Sequence, residues 1–134
     1  MFRPLALALL LLTTLAWKPV PAVHILHISV TAKEEVSIDG VKIDISELLS
    51  KELQNRLWRS FMGNGKMPDR IDLQFEESAP TVVKTSIFKS IKEAQEKTLN
   101  ILCLHKYKKA STDIKQKQRS RLQKQFPVLF QGFQ

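Results

Sequence analysis

The chain has 134 residues, a formal charge of +8, 43% apolar side chains and one cysteine. That length leaves room for a single domain; with an N-terminal segment and a polar C-terminal stretch set aside, about 80 residues remain, near the lower limit for a self-supporting core. One cysteine excludes an intrachain disulfide. The charge does not imply a basic globular surface either. Residues 105–134 hold Lys106, Lys108, Lys109, Lys115, Lys117, Arg119, Arg121 and Lys124 against Asp113 alone, whereas the rest of the chain carries thirteen basic and twelve acidic side chains. A nucleic-acid partner is therefore not expected, while anionic lipid at the basic stretch is compatible with the composition.

Arg3 precedes Leu5–Trp17, a thirteen-residue stretch without charge that Lys18 and Pro19 close. As a helix it spans about 20 Å, short of a hydrocarbon core of about 30 Å. Val20-Pro21-Ala22 supplies the small residue after which a signal peptidase could cut. Alternatively, the helix continues through Val20 to Ile28 with Lys18 snorkelling, a one-span anchor that Pro19 and Pro21 oppose. Either alternative sends the remainder across a membrane.

Beyond this segment, His24–Thr31 is rich in β-branched residues, with Ile28 and Val30 alternating against His27 and Ser29, which predicts a strand. Val36-Ser37-Ile38 and Val41-Lys42-Ile43 flank Asp39-Gly40, the pattern of a tight hairpin. Ser46 has the character of an N-cap, and Leu49, Leu53, Leu57 and Phe61 form one stripe of a helix over about 47–61. Gly63-Asn64-Gly65 stops it, and Arg70–Phe75 alternates polar and apolar as a half-buried strand. Thr81 is the expected cap of a second helix with Val83, Ile87, Ile91, Ala94 and Leu99 on its inner face. Asn100 is expected to break it, and Ile101–Leu104 to form the last strand, with Cys103 a small core thiol. Residues 105–126 lack a sustained apolar period and predict a solvated tail or frayed helix, after which Phe126–Phe133 is apolar enough to dock on the domain or on a partner.

The expected fold is α+β: a membrane or signal segment at 1–22, a two-layer β-β-α-β-α-β domain at 23–104 with two helices on one face of the sheet, and a basic flexible tail at 105–134. No catalytic, cofactor-binding or metal-ligating set can be assembled. His24 and His27 are too scattered for a metal site, and Asp69 with Asp72, or Glu76 with Glu77, lack a nucleophile or phosphate loop. Gly63-Asn64-Gly65-Lys66 follows a helix and precedes a strand, the reverse of a phosphate-binding loop. Trp58 and Phe61, like Ile87 and Phe88, fit helix packing better than a binding platform. An enzyme is not expected.

The text of Ile28-Ser29-Val30, then Val36-Ser37-Ile38-Asp39-Gly40-Val41-Lys42-Ile43, then Ser46-Glu47-Leu48 and Leu53, resembles the opening strands, Asp-Gly turn and first helix of the ExbD/TolR family periplasmic domain. Ile71-Asp72-Leu73, the Val82–Ala94 helix and Asn100–Leu104 are similar to its later half. The resemblance implies a non-enzymatic, single-span inner-membrane subunit with its domain in the periplasm. It further implies a multi-span partner like ExbB or TolQ, a homodimer, and a role in energising envelope transport. Laying Pro4-Leu5-Ala6 on the family's Pro-Leu-Ile-Asp puts Leu7 where the ion-carrying Asp is expected, and no Asp, Glu or His lies between Met1 and Ala22. An aliphatic side chain exchanges no proton, so the resemblance does not extend to proton coupling through this chain's own segment. The alternative is a cleaved, secreted or periplasmic binding module without a transport role, released by a cut after Ala22.

Overall fold

The computed structural model describes residues 23–43 and 48–133. The N-terminal apolar segment and the Ser46 cap lie outside the described residues. The described residues form an α+β fold, with a four-stranded mixed sheet and three helices.

The alternating pattern of the first strand dictates the sheet. In β1 (Ile25–Val30), Leu26, Ile28 and Val30 are buried while His27 and Ser29 face water. Strand β2 (Val36–Ile38) pairs antiparallel to it, and β3 (Val41–Lys42) antiparallel to β2. Asp39 and Gly40 hold the positive φ angles, 50° and 81°, that a tight turn between β2 and β3 requires. After α1 (Leu49–Asn64), β4 (Arg70–Phe75) enters on the other side of β1 and runs parallel to it, so the sheet order is β3-β2-β1-β4. A parallel pair needs a crossover, and α1 supplies it.

The leucine stripe of α1 behaves as its period demands: Leu49, Leu53 and Leu57 are fully buried and Phe61 packs on the same core. Gly65, at φ 73°, ends the helix in the left-handed conformation and donates its N–H to the Phe61 carbonyl at 2.7 Å. Both long helices share one apolar cluster with the inner face of the sheet.

Three sequence expectations fail downstream. Helix α2 runs Thr81–Tyr107 with Pro80 at its cap position, so Ile101–Leu104 is helical and the last strand does not form. Ile87, Ile91, Ala94, Thr98 and Leu102 are buried at steps of three and four, and Leu99 and Cys103 flank them, so one stripe continues through the expected break. Asn100 does not interrupt it, because its half-buried side chain accepts the Ser111 N–H at 2.9 Å and does not compete for the helix backbone. Nor is the basic region a solvated flexible tail. Residues Gln116–Gln125 form α3, Pro127–Phe130 a 3₁₀ turn, and Leu122, Phe126, Val128 and Leu129 are buried in the common core. The apolar terminus therefore docks on the domain. Phe126 meets Phe61 edge-on, with centroids 5.5 Å apart.

Truncating a docked aromatic ring removes its transfer free energy and leaves a void. Phe126→Ala is expected to destabilise the fold by about 3–5 kcal/mol in urea titration, where a solvated tail would give no change.

Candidate functional site

The docked terminus creates a concave feature. Two amide side chains set its geometry. Gln95, buried on α2, donates from Nε2 to the carbonyls of Val128 and Gln131, both at 2.9 Å, and so moors the 3₁₀ turn to the helix. Gln131 in turn accepts the Ile71 N–H at Oε1 and donates from Nε2 to the Ile71 carbonyl, both at 2.8 Å. Its amide thus imitates a neighbouring strand on the outer edge of β4, satisfying a backbone pair that would otherwise face solvent.

Between α2 and residues 129–133 lies a groove of about 630 Å³. Phe88, Phe130 and Phe133 supply aromatic walls, and Lys89, Lys92 and Arg119 stand around it with Glu96 as the counter-charge. Phe75 braces Phe88 edge-on at 5.5 Å, and the Arg119 guanidinium lies 5.3 Å over the Phe130 ring. Apolar walls beneath an excess of cations suit an anionic amphiphile; the lining offers no nucleophile beside a base.

The residues singled out by sequence are not gathered there. Asp69 accepts the His24 N–H at 2.8 Å, and Glu76 accepts the Ala32 N–H at 2.7 Å; both carboxylates tie loops together. His27 lies 3.5 Å from Asp72 on the uncovered sheet face. Glu77 is exposed. Asn64 accepts the Lys66 N–H at 3.0 Å, making the glycine-flanked segment a turn. Trp58 and Phe61 lie tilted against each other with centroids 5.3 Å apart and meet His105 of α2 edge-on, a helix-packing arrangement. Among the described residues no group of three or more His, Cys, Asp or Glu is placed to hold a metal ion, and no helix is long and apolar enough to cross a membrane. Gln95, Gln131 and the three groove phenylalanines are not marked as a site by the sequence; the apolar run Phe126–Phe133 is the one signal for Phe130, Gln131 and Phe133, and Phe88 and Gln95 have none.

Cys103 is fully buried, and desolvation pushes its thiol above the ordinary range, with the Arg119 charge pulling the other way. Glu93 lies outside the groove; the hydrogen bond and charge of Lys97, 2.7 Å away, hold its carboxyl below the usual range.

Two outcomes are expected. Gln131→Ala orphans the Ile71 backbone pair, costs about 1–2 kcal/mol and speeds exchange of the Ile71 amide while the Leu53 amide keeps its rate. The Cys103 proton contributes stability that is complete below the ordinary thiol pKa of about 8.5 and is lost as pH rises through the higher folded-state value. Cys103→Ala should flatten that alkaline decline in thermal melts.

Comparison with protein-family models, with curated proteins and with solved structures returned no match.

Proposed function

We propose that the chain is an ExbD/TolR-like accessory subunit of an envelope energy-transducing or transport complex. Residues 1–22 hold it in the inner membrane, and the domain works in the periplasm by protein contact, not catalysis. The supporting observation is the agreement over residues 24–99 between the element order implied by the resemblance and the order observed. A membrane-proximal strand is followed by a hairpin through Asp39-Gly40, then by a helix, a further strand and a second helix on the same sheet face. The helical state of Ile101–Leu104 departs from the family pattern, so the reading rests on the elements before it.

The edge of the sheet at β3 suits such a role. Val41 is 60% exposed there, and among the described residues no strand pairs with the outer side of this two-residue edge strand. A multi-span protein like ExbB or TolQ and a second copy of this chain are the expected partners. Proton coupling through this chain is not part of the proposal, since Leu7 stands where the resemblance calls for an acid.

The groove favours a second reading, a cleaved, secreted or periplasmic binding module whose ligand is an anionic amphiphile held by Phe88, Phe130 and the surrounding cations.

Affinity purification of the full-length chain from envelope membranes, followed by intact-mass analysis, separates the two. The anchored subunit is expected to begin at Met1 or Phe2 and to bring a multi-span protein with it. A soluble product beginning at Val23 and purifying alone would sink that reading and leave the binding module.

A further inference from the structure

One end of the domain combines lysines, exposed apolar side chains and the point where the chain joins residues 1–22. The contacts that define this end are continuous. Val23 and His24 share a cleft with Ser60, Asn64 and Lys66 at the close of α1. Phe61 of α1 stands 6.0 Å from His105 in the last turn of α2 and 5.5 Å from Phe126. Lys106 lies 5.3 Å over the Phe126 ring and donates to Gln125 at 3.0 Å. The start of β1 and the carboxyl ends of α1, α2 and α3 thus meet at one pole of the fold.

At this pole Val23 is 64% exposed, Met62 60% and Leu104 46%. Lys66, Lys106, Lys108 and Lys109 are exposed with them, and Lys108 turns the chain at the end of α2 with φ 59°. The acids on this side are engaged: Asp69 with the His24 N–H, and Asp39 with the His27 N–H and, at 4.0 Å, Arg56. The opposite pole also exposes Leu48 and Val82. Its loops carry Glu34, Glu35, Glu76 and Glu77, but Lys33, Lys42 at 3.6 Å from Glu35, and Lys84 in the first turn of α2 offset them. The excess of cations therefore lies where the chain enters, and the far end is close to balanced.

We propose that the basic pole is a membrane-contacting surface that rests on anionic phospholipid headgroups. Val23, Met62 and Leu104 enter the interfacial layer, and Lys66, Lys106, Lys108 and Lys109 meet the phosphates. Lysines bring long apolar stems as well as charge, which suits them to that boundary. The far end carries no such excess of cations, so the field orients the domain as well as attracting it, over a range of about 10 Å at 0.1 M salt. The proposal rests on the anchored reading, in which the segment before Val23 enters the same bilayer.

The test is hydrogen exchange on the full-length chain reconstituted into phosphatidylcholine vesicles with and without about one-third phosphatidylglycerol. Amides 60–66 and 104–109 are expected to exchange about threefold or more slowly with the anionic lipid, an effect removed by about 0.5 M salt. The triple variant Lys106→Gln, Lys108→Gln, Lys109→Gln should lose the lipid dependence while amides 49–57 keep their protection, which shows that it still folds. A chain that stays in both vesicles and exchanges identically overturns the contact alone. A chain that stays with neither overturns the anchored reading and this proposal with it.

Discussion

The pairing of β1 with β4 is the constraint on which the remaining structure depends. Both strands expose one polar face and bury one apolar face, so a slip of a single residue would turn Leu26, Ile28, Val30 and Ile71 out to water. The register is pinned at both ends. His24 and Asp69 exchange two hydrogen bonds, His24 N–H to the carboxylate at 2.8 Å and Asp69 N–H to the His24 carbonyl at 2.7 Å. At the other end Glu76 gives its N–H to the Val30 carbonyl at 2.8 Å and takes the Ala32 N–H on its carboxylate. Asp39 does the same for the antiparallel side, bonding the His27 backbone through both its amide and its carboxylate. Asp69 and Glu76, two of the acids that stand out in the sequence, thus serve alignment.

With one apolar sheet face fixed, the helices have to cover it, and the C-terminal third of the chain completes the cover. Helix α3 is strongly polar, yet Leu122 and the following Phe126, Val128 and Leu129 bury completely or nearly so. Polar residues position this apolar packing. Gln95 would be costly inside a core if its amide were idle; with two carbonyls to serve, it fixes the 3₁₀ turn relative to α2.

The elements up to Phe75 are legible because each carries its own periodicity: alternation in β1 and β4, a four-residue stripe in α1, and two positive-φ residues between β2 and β3. Ile101–Leu104 misleads because four consecutive apolar residues satisfy a strand and a buried helix equally, and Asn100 has a local reason to break a helix that its bond to Ser111 cancels. The C-terminal third is illegible for a different reason. A single buried leucine in α3 leaves no periodic trace, and its burial comes from contacts more distant in sequence. The groove is invisible for the same cause, since its walls come from two segments some forty residues apart.

The amide of Gln131 on the edge of β4 has a consequence for synthesis. Its partner Ile71 precedes it by sixty residues, so at about 5–20 residues per second the ribosome needs about 3–12 s to make the residue that closes this edge. During that interval β4 presents unpaired backbone groups beside Leu73 and Phe75, which are only partly covered in the finished fold. Until Gln131 arrives, β4 is open to pairing with another strand, and the order of synthesis makes the segment after Phe130 the guard of the outermost strand.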